Sequence, residues 1–323
     1  MQVVGAGSWG LALARLLALN GHAVRLWCRV EDNPDHLRET RASKTYLPGV
    51  HLPESIEVVE DVDPDAEMAV LAVPSHAMRS VVAAYPFSPA TIRVSAAKGI
   101  ENDTLLRMSQ VIDEVSGPCP VVALSGPTHA EEVARDLPAS IVAAGEDTAA
   151  CEAVQGALMR ETFRVYTAAD IVGTELGGSL KNVIAIAAGA CDGLGLGDNA
   201  KAALITRGLA EIARLGVAEG ADPLTFAGLS GMGDLIVTCA SRHSRNRAVG
   251  EKIGRGMTLG EVLDGMVMVA EGVRTTRSAR ALAKRRGIDM PITEQVYGVL
   301  FEGADAHQAV TSLMLRHPKP ERA

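Results

Sequence analysis

The stretch QVVGAGSWG, residues 2–10, runs a short apolar segment straight into glycines at positions 5, 7 and 10. Glycines at GxGxxG spacing are a weak signal by themselves, since an ordinary tight turn uses them too. Here the context narrows the choice. LALARLLALNGH, residues 11–22, follows with helical periodicity and stops at Asn20-Gly21, a good C-terminal cap. A strand feeding a glycine loop that opens a helix lets a pyrophosphate approach bare backbone amides at the positive helix end. Gly5, Gly7 and Gly10 are therefore candidate dinucleotide contacts.

Outward from that unit, β-type runs alternate with helical ones up to about residue 168: Gln2–Val4, Ala23–Cys28, Met68–Val73, Ile92–Ala96, Val121–Leu124, Ser140–Ala144 and Phe163–Tyr166. Several are continuously apolar, as expected for a parallel sheet covered on both faces. After about residue 170 helix signals take over. Asp222-Pro223 pairs an N-cap with proline at the first helical position, Thr258 and Glu261 have capping-box spacing, and helical patterns cover 272–286, 291–302 and 305–316. The expectation is an α/β protein with a dinucleotide-binding domain at 1–170 and a helical substrate-binding and catalytic domain at 171–323. No low-complexity linker separates them, so a tight junction with a ligand cleft is expected.

The 323 residues are 47% hydrophobic and 22% charged, enough for two cores. Aromatics are 3% and the net charge is −8, which argues against stacking platforms and general polyanion binding, and so against nucleic acid. A local cation cluster could still hold a small phosphorylated ligand. No apolar run has the length of a membrane span, and residues 1–10 lack the pattern of a secretory signal. Cys28, Cys119, Cys151, Cys191 and Cys239 are scattered without metal-site spacing, which suits free thiols in a reducing cytosol and no metal.

Five further stretches can carry chemistry. LWCRVED places Arg29 just after the second strand, where a guanidinium can take a 2′-phosphate bidentately; this favours NADPH, while Glu31 and Asp32 leave NADH open. AAKGIE and LSGPTHAEE put Lys98 and the Ser125–Thr128 loop at strand ends, the side of an open α/β sheet where ligands sit. SGMGDLIVTCASRHSRNR gathers Asp234, Thr238, Ser241 and Ser244 with Arg242, Arg245, Asn246 and Arg247, a set suited to a phosphate dianion or to an ordinary solvated helix face. ELGGSLKNVIAI, residues 175–186, buries Lys181 in an apolar helix. That lysine either snorkels, pairs with Glu175, or is aimed at a ligand.

In their order, GAGSWG, VPSH at residues 73–76, AAKGIE, LSGPT, the Lys181 helix, ALITRGLAE at residues 203–211, GMGDL, SRN and AEGVRTT at residues 270–276 resemble bacterial-type NAD(P)-dependent glycerol-3-phosphate dehydrogenase over nearly the whole chain. The resemblance implies a Rossmann-like doubly wound domain followed by an all-helical one. It implies that Ser8, Trp9, Arg29, Tyr46, Lys98, Ala130, Arg245, Val269 and Glu271 contact the NADPH or NADH. It places the triose phosphate at Lys98, Gly126, Thr128, Lys181, Asp234, Ser244, Arg245 and Asn246, with Thr238 close by and Lys181 as acid/base.

The implied reaction is hydride transfer between the nicotinamide and the carbonyl carbon of dihydroxyacetone phosphate, giving sn-glycerol 3-phosphate for phospholipid synthesis in a cytoplasmic homodimer. Two alternatives remain at this level. One is a related hydroxy-acid dehydrogenase, which would lack the GMGDL-to-SRN segment; the other is a non-enzymatic NAD(H)-binding redox sensor, which would need no lysine in the cleft. The sequence departs from the family pattern at Leu11, where threonine is usual, and at His129, where phenylalanine is usual. The second departure lies close enough to the ligands to alter pH dependence.

Overall fold

The computed structural model describes residues 1–266, 268–318, 320 and 321. Eight strands form one sheet: β1 (Gln2–Val4), β2 (Val24–Trp27), β3 (Ile56–Val59), β4 (Met68–Leu71), β5 (Ile92–Ser95), β6 (Val121–Ser125), β7 (Ala139–Ala144) and β8 (Phe163–Ala168). Their spatial order is β3-β2-β1-β4-β5-β6-β7-β8. The first six are parallel and doubly wound, with the order reversing between β1 and β4, so a crevice opens at the carboxyl ends of those two strands. Alternate residues serve the two layers: Val3, Leu26 and Val70 pack on one face, and Val4, Trp27 and Leu71 on the other.

Two details correct the expectation of an all-parallel sheet of seven strands. β3 is an additional edge strand; in its IEVV sequence the exposed Glu57 interrupts the buried Ile56, Val58 and Val59 among acidic neighbours, so the apolar run is too short to stand out. β7 runs antiparallel to β6. The connection between them holds a single helical turn, Ala130–Val133, and the chain returns alongside β6 instead of crossing over.

The remainder is helical, built around Ile171–Gly193, which is buried along most of its length. Asp170 caps it by accepting from the Gly173 amide at 2.8 Å, and the same carboxylate accepts from Thr225 Oγ1 at 2.6 Å. The helices Glu271–Arg286, Pro291–Phe301 and Ala306–Met314 lie within a residue or two of the ranges expected for them. The Thr258–Glu261 capping box forms, whereas Asp222-Pro223 starts only a short 3-10 turn, Pro223–Ala227.

The helix Arg245–Gly254 crosses the central helix at very close range. Cβ atoms added to Gly189 or Gly193 would collide with the backbone of Arg247 and Glu251, and Cβ atoms on Gly250 or Gly254 with that of Ile186 and Ala190. Four glycines, two per helix at a spacing of four, thus press the Ser244–Asn246 segment toward the helix that carries Lys181.

Candidate active site

Gly5 adopts φ +110°, and a Cβ there would lie 2.6 Å from the Ala72 carbonyl at the end of β4; one on Gly10 would strike the Gly5 carbonyl. Gly7 is different, with no atom of the described residues within 4 Å of its Cβ position. The first and third glycines therefore fold the turn, and the second leaves an open cradle at the start of the Ser8–Leu19 helix. That is the fit a dinucleotide pyrophosphate requires.

Just beyond the end of β2, Arg29 donates from Nε and Nη2 to the Asp32 carboxylate at 2.8 and 3.0 Å. Arg29 is about half exposed and Asp32 largely covered. The Tyr46 phenol lies in the same neighbourhood, its pKa raised by burial first and by Asp32 next. Ser8 and Trp9 occupy the first helical turn after the glycine loop. Ser8 Oγ approaches Met268 Sδ at 3.7 Å, and Glu271 accepts from the Ser75 amide at 2.9 Å and from Ser75 Oγ at 2.6 Å, so the Val269 and Glu271 region closes on the crevice from the helical half. Ala130 opens the one-turn helix after β6.

The centre of the site is a carboxylate held by two lysines. Lys98, beyond the end of β5, donates to Asp234 Oδ2 at 2.7 Å and to the Gly126 carbonyl at 3.1 Å. Lys181 donates to Asp234 Oδ1 and, at 2.6 Å, to Thr238 Oγ1, whose own proton goes to the Asp234 backbone carbonyl at 2.6 Å. Thr128 Oγ1 joins through the Gly126 carbonyl at 3.2 Å. Lys98, Gly126, Thr128, Lys181, Asp234 and Thr238 are thus one connected cluster at the carboxyl ends of β5 and β6.

Neither snorkelling nor pairing with Glu175 accounts for Lys181, which is 6% exposed. Glu175 instead accepts from the Ser109 amide and hydroxyl at 2.7 and 2.6 Å and from Arg107 at 2.5 Å. The glycines beside it explain how the helix comes so near: a Cβ on Gly178 would strike Ser125 Oγ, and one on Gly177 would lie 2.6 Å from the Ser230 carbonyl. Burial draws the Lys181 amine down to about 7, with Asp234 opposing the shift and Lys98 adding to it. For Asp234, burial alone would raise the carboxyl, but the two ammonium groups outweigh it and hold it below its ordinary value.

The basic segment divides its work. Ser244 caps the Arg245–Gly254 helix by accepting from the Arg247 amide at 3.2 Å, and Arg245 is exposed at its first position. Asn246 donates to Asn182 at 2.9 Å and accepts from the Gly272 amide at 2.9 Å, which ties this segment to the residue next to Lys181. Arg247 turns away to Asp192 at 2.6 Å and Glu251 at 3.2 Å. Asn182 and Ser75 are site-shaping residues that the sequence does not single out, although Ser75 lies in VPSH and Asn182 beside Lys181; their partners, Asn246 and Glu271, are set only by the fold.

A doubly wound sheet with a glycine cradle facing a buried lysine–aspartate–lysine cluster defines the class: a dinucleotide-dependent oxidoreductase fold with a helical second half. Models described as the N-terminus and the C-terminus of NAD-dependent glycerol-3-phosphate dehydrogenase match residues 1–151 and 170–311. "Glycerol-3-phosphate dehydrogenase [NAD(P)+]" of Moorella thermoacetica is 55% identical over 98% of this chain and 96% of its own. The protein of that name from Pelotomaculum thermopropionicum is 53% identical over 98% and 93%. The crystal structure of glycerol-3-phosphate dehydrogenase from Coxiella burnetii superposes with a TM-score of 0.93 at 37% identity, covering 98% of each chain. This chain belongs to the NAD-dependent glycerol-3-phosphate dehydrogenase family.

Proposed function

We propose that the protein interconverts dihydroxyacetone phosphate and sn-glycerol 3-phosphate with NADPH or NADH, residues 1–170 holding the dinucleotide and 171–323 supplying most of the substrate and acid/base groups. The Lys98–Asp234–Lys181 cluster beside the glycine cradle, in a chain of this family, carries the reading. The nicotinamide, when bound, supplies the hydride for the carbonyl carbon. Gly5, Gly7 and Gly10 admit the pyrophosphate, Ser8 and Trp9 border it, and Arg29 and Tyr46 meet the adenosine end. Ala130, Val269 and Glu271 complete the enclosure.

The Lys181 amine holds the proton that the substrate oxygen takes up in reduction and receives it back in oxidation. Lys98 adds a second positive charge where negative charge develops on that oxygen. Asp234 keeps both amines in place, and the Thr238 hydroxyl, anchored on a backbone carbonyl, fixes the direction of the Lys181 amine. The phosphate is assigned to Arg245 and the first amides of the helix capped by Ser244, where the helix end favours an anion. Because the Asn246 side chain is engaged by Asn182 and Gly272, its share is the backbone amide.

Mixing protein, NADPH and dihydroxyacetone phosphate and following loss of the reduced-nicotinamide absorbance tests the reading; no oxidation with either NADPH or NADH would reject it. Homodimer formation, a cytoplasmic setting and supply of glycerol phosphate to lipid synthesis go with the family. Among the described residues no helix is long and apolar enough to cross a membrane.

A further inference from the structure

His129 stands between two candidate ligand contacts, Thr128 and Ala130, in extended backbone at the head of a one-turn helix whose amides its side chain does not cap. Its Nε2 is buried and has no hydrogen-bond partner among the described residues. A buried polar atom left unpaired calls for a water or a ligand to complete it. The ring lies 5.9 Å from that of His243, centroid to centroid, tilted by 53°. His243 immediately precedes Ser244 and Arg245, so His129 adjoins the phosphate-type segment as well as the lysine cluster. The charged groups that bear on it are Lys181 and Lys98 from the cluster and Glu131 and Glu132 from its own turn. Burial first, and Lys181 next, hold the imidazole below its ordinary pKa, so it is neutral around pH 7. A neutral imidazole offers one donor and one acceptor. That suits a hydroxyl; an anion already has lysines and an arginine at hand.

We propose that His129 is a specificity-determining residue, its Nε2 hydrogen-bonding the free hydroxyl next to the carbonyl of the triose phosphate. The assignment rests on the activity proposed above, and it explains why a polar ring occupies a covered position that needs no charge. It is tested with two substrates that differ by that hydroxyl, dihydroxyacetone phosphate and hydroxyacetone phosphate, in which the hydroxymethyl group is a methyl. Steady-state kcat/KM is measured for both in the wild type, His129→Phe and His129→Gln.

The wild type is expected to favour the hydroxylated substrate, and His129→Phe to lose about tenfold of that preference through dihydroxyacetone phosphate alone. His129→Gln, which keeps a polar side chain, is expected to restore part of it. A preference ratio in His129→Phe equal to that of the wild type, whatever the absolute rates, overturns the assignment while leaving the activity standing. A wild type that reduces neither compound overturns the activity and this assignment together.

Discussion

Lys181 occupies an apolar helix at the cost of dehydrating an amine, and the neighbours of that amine decide what it can do. Reduction needs the protonated amine and oxidation the neutral one. With burial drawing Lys181 down to about 7, kcat for dihydroxyacetone phosphate reduction should fall as pH rises through that region, and kcat for glycerol phosphate oxidation should rise over the same window. Measuring both profiles on one preparation checks the assignment; slopes of the same sign would count against it. Lys181→Ala should lose about a hundredfold or more in turnover while NADPH affinity, read by fluorescence titration, stays. Arg29 poses a different balance. Its fork is already on Asp32 at 2.8 and 3.0 Å, so a 2′-phosphate must share the guanidinium with a carboxylate, whereas a ribose hydroxyl could use that carboxylate. Asp32→Asn should therefore shift the KM ratio toward NADPH by about tenfold, in line with a charge-assisted bond. Equal changes in both KM values would reduce the pair to surface decoration.

At the level of elements, the site is placed by glycines as much as by charges. Gly189 and Gly193 meet Gly250 and Gly254 where two helices cross, and the crossing carries Ser244, Arg245 and Asn246 toward Lys181. Gly250→Ala should cost about 1–3 kcal/mol through overpacking, visible as a lower urea midpoint, and should raise the substrate KM because the phosphate segment rides on the displaced helix. Gly260→Ala, within the helix Leu259–Asp264 where a Cβ meets nothing within 4 Å among the described residues, is the control: it should not lower the midpoint and should leave KM unchanged. Helix ends and capping boxes were legible because their signals are local: Asn20-Gly21 and Thr258 with Glu261 each act within four residues. The glycine crossing was not, since spacing within one helix does not name the helix opposite. The same limit hid β3, whose register with β2 supplies what its short apolar run lacks. Lys181 was legible as an anomaly, but the loss of Glu175 as its partner to Arg107 and Ser109, 66 to 68 positions away, could only come from the fold.

Across the whole molecule, the sheet and the helices are joined by carboxylates reaching out of the helical half. Asp234 meets Lys98, Glu271 meets the Ser75 amide and hydroxyl, and Glu175 meets Arg107 and Ser109. The first two border the candidate ligands, while Glu175 makes its tie at the start of the Met108–Ser116 helix. Glu175 is therefore the place to separate cohesion from chemistry. Its carboxylate is almost wholly covered and Arg107 partly so, so removing it leaves a partly buried arginine without its anion, a loss of about 3 kcal/mol. NADPH should raise the melting transition of the wild type as a single step, because stabilising the sheet half then stabilises the half clasped to it. In Glu175→Ala the transition should fall and divide, with NADPH moving only the step that belongs to the sheet half. Calorimetry with and without NADPH reads both effects. A single transition in the variant, moved by NADPH as far as in the wild type, would mean that Asp234 and Glu271 suffice to couple the halves.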